Sequence, residues 1–372
     1  MKRLIKVILL ILPILFATTL YAQDLKIGAI LPLSGDAASW GEAGKEGIDI
    51  AIDEVNGKGG INGKKVAVMY EDSQAQPEKG VSAMLKLATI DNVPAVIGDI
   101  VSATTLAAAP IAEKNNVVLL SPTASAPKIT EAGKYIFRIW PSDLAEGTAI
   151  AEFAANTLRV KRIAILYIQN DYGIGLQQVF EKRFKELGGK TLLSVAYKQD
   201  ETDFRPHLTK IKAQKPEAIY LVSYYKDAAL ILKQAKQLKI NAKFLGTTAI
   251  EEPKLFEIAG DAAEGVIYPI SSGYDPDSKE TAVSKFIEDF KKKYNKDPGF
   301  VQAQTYDAAK LVTTAMQKGG LTGPAIQKYL ETLKGYNGVT GVITFDKNGD
   351  VVKPTKIKTI KDGKFVPYSE GK

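Results

Sequence analysis

Residues 162–173 read RIAILYIQNDYG, and their reading decides the fold. An apolar run rich in isoleucine stops abruptly at Gln169–Asn170–Asp171, with a glycine just beyond. A strand that is apolar at every position, without alternation, is buried on both faces, as in a parallel sheet covered by helices. Small polar residues at the carboxyl end of such a strand stand where open parallel sheets take their ligands. The stretch is decisive because a full series of strand–helix units has already passed before it begins.

Upstream, residues 25–33 (LKIGAILPL) predict a strand, and 40–56 a helix with Ile48, Ala51, Ile52 and Val55 at helical spacing. A strand at 65–70, a helix at 78–90, a short strand at 95–98, a helix at 104–115 and a strand at 117–120 follow. Downstream come a helix at 176–187, a strand at 191–197, a helix within 204–214 and a strand at 218–224. A helix at 227–238 and strands at 244–247 and 265–270 complete the series. The alternation predicts two doubly wound α/β units in succession, with 135–143 (YIFRIWPSD) as the crossover between them. The last third offers helices at 278–294, 301–318 and 324–333, then strands at 342–345 and 355–360 about a turn at Lys347–Asn348–Gly349. These cannot easily build a third domain. They are expected to pack back on the two units, so that the chain crosses more than once and makes a hinge.

A chain of 372 residues exceeds one compact core, and 45% hydrophobic with 24% charged residues is the balance of a folded globular protein. Residues 1–22 differ from the rest. Lys2, Arg3 and Lys6 precede an apolar run, and Ala22 is small enough to stand before a cut, the pattern of an export signal cleaved near Ala22. Without those three cations the net charge falls from +7 to +4, and the lysines are scattered along predicted helices, with 291–293 the densest run. That distribution reads as solvated helix faces, not a nucleic-acid surface. With no Cys there is no disulfide, thiol nucleophile or thiolate metal site.

The catalytic inventory is short. One His, His207, sits in a Lys-rich helix, and no GxSxG elbow is present. Ser125–Ala126–Pro127–Lys128 has the SxxK spacing, but Pro127 disfavours the helix that motif needs. Phosphate and dinucleotide loops are missing, so no cofactor is expected. Asp346–Lys347–Asn348–Gly349–Asp350 starts like a calcium loop but carries Val351 and Ile357 where that loop needs Gly and Glu; a hairpin turn on Asn348–Gly349 is the better reading.

What remains is binding. LLSPTASAP at 119–127 is a strand that ends in hydroxyls. Ser102 opens the preceding predicted helix, where free N–H groups and the helix dipole attract anions. Ser102, Thr123 and Ser125 would lie together in a parallel sheet, either to hold a carboxylate or, with Ser102, merely to cap a helix and turn a loop.

The mature chain resembles the substrate-binding proteins of branched-chain amino-acid ABC transporters nearly from end to end. LKIGAILPLSGDAASWG with AIDEVNGKGGINGKK, LLSPTASAPKIT, IAILYIQNDYGIGL and GVITFDKNGDV stand in that family's order. The resemblance implies two Rossmann-like lobes joined by a multi-strand hinge, the type I periplasmic binding fold. Lobe 1 would hold 23–142 and 271–354, and lobe 2 would hold 143–270 and 355–372. It implies a monomer exported to the periplasm that closes on a small solute, docks to a membrane permease and catalyses nothing. Ser102, Thr123 and Ser125 match positions that grip the ligand's α-carboxylate and ammonium; Trp40, Tyr172 and Tyr224 match aromatics that cover it. One departure stands out. Amino-acid binders of the family carry an acid soon after the strand that here ends at Gly246, and this chain has Thr248. Asp143, Glu251 and Glu252 are the candidates to pair the ammonium instead; failing them, the ligand would be an aromatic or oxo acid without the amine. A sensor presenting its ligand to a receptor is the other reading.

Overall fold

The structure, a computed structural model, describes residues 24–369. The export-signal reading lies outside the described residues. The first unit runs β1 (Leu25–Leu31), α1 (Ala38–Gly57), β2 (Val66–Asp72), α2 (Pro77–Thr89), β3 (Ala95–Gly98), α3 (Ser102–Asn115), β4 (Val118–Ser121) and β5 (Ile136–Arg138). Its strands form one parallel sheet in the order β2-β1-β3-β4-β5. β3 and β4 are buried at every position, which is why they read as unbroken apolar runs.

The second unit begins with α4 (Asp143–Glu152) and continues through β6 (Arg162–Ile168), α5 (Asp171–Glu186), β7 (Lys190–Tyr197), α6 (Arg205–Ala213) and β8 (Ala218–Val222). It goes on through α7 (Tyr225–Gln237), β9 (Lys243–Leu245), α8 (Lys254–Ala259) and β10 (Ile267–Ile270). The chain then forms α9 (Thr281–Tyr294), α10 (Phe300–Lys318) and α11 (Gly323–Glu331), a small ladder of β11 (Tyr336–Gly338) with β12 (Gly341–Ile343), and last β13 (Lys356–Lys361) and β14 (Lys364–Pro367). The second sheet is ordered β14-β13-β10-β9-β8-β6-β7, with β13 antiparallel to β10. The chain is thus α/β, with two doubly wound sheets side by side.

Two large cores follow the sheets. Leu311, Val312 and Ala315 of α10 share a core with Ile27 and Ala29 of β1, so the late helices cover the first sheet. Ile360 of β13 belongs with Ile163 and Tyr220 in the other core. Among the described residues the chain therefore passes between the lobes after β5, after β10 and before β13. The second and third crossings are tied to each other. The Ser271 and Thr355 hydroxyls lie 2.7 Å apart, and Lys353 Nζ donates to the Thr340 hydroxyl at 2.9 Å and the Ser272 carbonyl at 3.3 Å.

Three local expectations are corrected. Residues 135–143 are not a bare crossover: they supply β5 and then start α4, whose N-cap is Ser142. Asn348–Gly349 does sit in a tight turn, closed by Asp346 N–H on the Asp350 carbonyl at 2.8 Å, but the turn is no hairpin. The strands on either side of it pair with different partners, β12 with β11 and β13 with β10. Ser102 does not cap α3; Val101 holds that position and Ser102 is the first helical residue.

Candidate functional site: a cavity between the lobes

At the carboxyl ends of both sheets, between the lobes, lies a cavity of about 60 Å³. Trp40, Ser102, Thr123, Ser125, Tyr172, Tyr224 and Thr248 all line it. Asp143, Glu251 and Glu252 do not, and the acid that does is Glu146. The lobes touch around it. Tyr225 donates to the Asp36 carbonyl at 2.8 Å, the Ser39 hydroxyl donates to Glu252 at 2.8 Å, Lys128 pairs with Asp171 at 2.8 Å, and Lys226 pairs with Asp36.

The lobe 1 side is built from the β3–α3 and β4 loops. Ser102 Oγ accepts the amides of Ser125 and Ala126 at 3.1 Å each, pulling the β4 loop onto the start of α3. With both its acceptor positions filled, its own proton is free to donate, since among the described residues it has no acceptor. The Thr123 hydroxyl donates to the Ile100 carbonyl at 3.1 Å. Beneath the loop, fully buried Arg138 donates to the carbonyls of Ser125 and Ala126 at 2.9 and 3.0 Å and makes a two-pronged pair with Asp350 at 2.6 and 2.8 Å. Sequence reading missed Arg138, because a lone Arg in an apolar strand carries no local signal.

The aromatic wall spans both lobes. Tyr172 and Tyr224 stack with ring centroids 5.5 Å apart, and Trp40 meets Tyr224 edge-on at 5.3 Å. Asn170, the N-cap of α5, accepts from Gly173 N–H at 2.9 Å and donates to the Tyr224 hydroxyl at 3.1 Å. A Cβ on Gly173 would stand 1.9 Å from the Ile168 carbonyl, so only glycine lets the helix start this close to its strand and carry Tyr172 into the cavity. The Tyr172 hydroxyl donates to Thr247 at 2.8 Å. Trp140 and Phe300, 5.6 Å apart, extend the wall and went unnoticed in the sequence.

The lobe 2 floor is the first turn of α4. Glu146 is 3% exposed. The Thr248 amide donates to its Oε1 at 3.0 Å, and the Thr248 hydroxyl lies 2.8 Å from its Oε2 and 2.8 Å from the Pro269 carbonyl. Burial pushes the Glu146 carboxyl up to about 7, against those Thr248 contacts, which favour charge. Asp143, one turn earlier and 1% exposed, is pushed well up by burial and then by the neighbouring Glu146. Its carboxyl oxygens have no hydrogen-bond partner among the described residues, the Ser125 hydroxyl being the polar group near enough to favour its charge. The other two candidates are engaged elsewhere. Glu251 takes Tyr268 and Lys358, and Glu252 takes Ser39. The available signal for Glu146 was Pro141–Ser142–Asp143 ahead of an apolar stretch, a helix start with acids in its first turn.

Groups of His, Cys, Asp and Glu fit to hold a metal are lacking among the described residues, and no described helix is long and apolar enough to cross a membrane. His207 lies on α6, 2.6 Å from Glu201, outside the cavity.

Two α/β lobes, several crossings and a shared cavity define a solute-binding protein. The chain belongs to the periplasmic binding protein family, which it matches over residues 24–364, a family of binders and not of enzymes. It is 30% identical over 334 residues to the leucine-, isoleucine-, valine-, threonine- and alanine-binding protein of Pseudomonas aeruginosa, covering 89% of this chain and 88% of that one. Its fold superposes on a leucine-binding protein of Thermotoga maritima with a TM-score of 0.87 at 31% identity, covering 93% of this chain and 98% of the other. A branched-chain amino-acid transporter substrate-binding protein of Streptococcus pneumoniae, solved with isoleucine, gives a TM-score of 0.85 at 29% identity, with 92% and 98% covered.

Proposed function

We propose that this protein captures an α-amino acid with an apolar, branched side chain in the interlobe cavity and delivers it to a membrane ABC permease from the periplasm. The observation that carries the reading is how the cavity divides. Lobe 1 contributes hydroxyls and the N-terminus of α3, while lobe 2 contributes a buried carboxyl. An α-amino acid carries its carboxylate and ammonium on one carbon. Each charge meets its complement only when the lobes are together, so the ligand draws the population towards the closed form.

In this reading the free proton of Ser102 and the first turn of α3 take the carboxylate, with Thr123 and Ser125 beside them. Glu146 takes the ammonium. It does the work of an acid after β9, and Thr248, which stands there, orients Glu146 from across the turn. Trp40, Tyr172 and Tyr224 cover the side chain, and relatives named for leucine, isoleucine and valine support an aliphatic one. Of the described residues, 24–142 with 271–354 form one moving body and 143–270 with 355–369 the other, working as a monomer.

The test is thermal stabilisation of mature protein stripped of ligand by unfolding and refolding. Leucine, isoleucine, valine and phenylalanine are compared with their oxo acids, benzoate-type acids and simple amides. Stabilisation by the amino acids and not by acids lacking the amine is the expected result. The reverse order would make the cavity an aromatic or oxo-acid site. A neighbouring gene pair for permease and ATPase supports transport; a receptor gene in that place would favour sensing.

A further inference from the structure

The contact between Thr248 and its two neighbours has one proton too few. A threonine hydroxyl owns a single proton. Thr248 Oγ1 nevertheless stands 2.8 Å from the Pro269 carbonyl, which can only accept, and 2.8 Å from Glu146 Oε2. If Glu146 were ionised, both neighbours would be pure acceptors and one contact would lack a hydrogen. A proton on Glu146 Oε2 completes the chain: Glu146 donates to Thr248, and Thr248 donates to Pro269.

The surroundings argue the same way. From α4 itself, Asp143 stands one turn away, outside the cavity lining but close enough to feel the Glu146 charge; from α5 comes Tyr172, from β8 Tyr220, and from the β4 loop Ser125. Among the described residues the cation acting on Asp143 is Arg138, its charge already matched by Asp350, and no cation pairs with Glu146. The far end of α4 carries Glu152, which Arg183 neutralises at 2.6 Å. Two carboxyls one helical turn apart, both buried and with no unmatched cation beside them among the described residues, cannot both be charged.

We infer that Glu146 carries a proton in the ligand-free protein and that the arriving α-ammonium expels it to solvent, so that ligand capture and proton release are one linked event. The inference rests on the amino-acid reading above. The balance is simple. The ammonium arrives charged, the Glu146 O–H bond breaks, its electron pair stays on the carboxylate and the proton leaves to water. Thr248 then turns its proton to Glu146 and releases Pro269, which belongs to β10, the strand leading into the second crossing. Asp143 keeps its proton throughout. The consequence is a binder that loads well at neutral pH and lets go in acid.

The experiment is calorimetric titration of stripped wild-type protein with L-leucine near pH 6 and near pH 8, each in two buffers of different ionisation enthalpy. About one proton should be released per leucine bound at pH 6 and close to none at pH 8, with Kd weakening about tenfold per pH unit below neutrality. Equal heats in both buffers at pH 6, with Kd flat from 6 to 8, would overturn the inference and leave the amino-acid reading standing. If leucine fails to bind at any pH, the reading itself falls and takes the inference with it. Asp143→Asn, which imitates a protonated Asp143, should bind leucine within a few fold and still release the proton. Loss of proton release in that variant, with leucine still bound, would assign the proton to Asp143 and overturn the role given to Glu146. Should the variant fail to fold, the wild-type titration decides alone.

Discussion

Glu146→Gln should move ligand affinity and ligand-free stability in opposite directions. Gln keeps the shape and can still accept the Thr248 amide that now reaches Oε1 at 3.0 Å. It cannot neutralise an ammonium. Removing one partner of a buried charged pair costs about 3–5 kcal/mol, so leucine affinity should fall roughly 100- to 4,000-fold. Without ligand the balance reverses. Burial raises the Glu146 carboxyl from 4.5 to about 7, which at pH 8 amounts to about 3 kcal/mol lost from the ligand-free fold. Gln escapes that cost but adds an amide N–H, and an unmet buried donor costs about 1–2 kcal/mol. The net gain is about 1–2 kcal/mol, a rise of a few degrees in melting temperature at pH 8. Titration calorimetry and melting of the same stripped sample check both signs. A variant that binds leucine within threefold of wild type refutes the ammonium assignment. A variant that both melts lower and binds less would mean that Glu146 is chiefly structural.

Ser102→Ala should weaken leucine binding about 10- to 100-fold by removing a charge-assisted hydrogen bond, and should also lower stability by about 1–3 kcal/mol by orphaning the Ser125 and Ala126 amides, read by calorimetry and urea melts. An unchanged urea midpoint would mean that Ser102 does not hold the β4 loop. Arg138→Met leaves Asp350 without its cation, takes one of two donors from each loop carbonyl and should cost about 3–5 kcal/mol; a loss below 1 kcal/mol in urea unfolding would show the pair to be dispensable. The ligand-free protein should be most stable near pH 5. Asp99 and Asp227 are raised to about 7 and Glu146 likewise, all mainly by burial, so the fold binds protons that the unfolded chain has already lost and stability declines as pH rises through 7. Melting temperatures that rise steadily from pH 5 to 7 would contradict that sign. Saturating leucine should flatten the Glu146 share of the decline.

The β4 loop shows what sequence reading reached and where it stopped. Strands buried on both faces announce themselves as apolar runs, and helices as 3.6-residue periods, so the two doubly wound units and the polar ends of their strands were legible. Because ligand sites in such sheets sit at strand ends, Ser102, Thr123, Ser125, Tyr172, Tyr224 and Thr248 were within reach of local pattern and resemblance, and all of them line the cavity with Trp40. Their bonding was not. Ser102 looked like a helix cap, yet its acceptors are spent on amides 23 and 24 residues away.

The sequence by itself determined the class of fold, the repeated unit, and the strand ends where a ligand would be held, because these follow from periodicity over a few residues. Only the tertiary structure decided which acid faces the cavity. Glu146 meets Thr248 across 102 residues, Arg138 meets Asp350 across 212, and Glu252 is taken by Ser39 across 213. Asp143 and Glu146 share one helical turn and one composition, yet one lines the cavity and the other does not. Which carboxyl faces the cavity is set by contacts between residues far apart in the chain, and no local pattern encodes it.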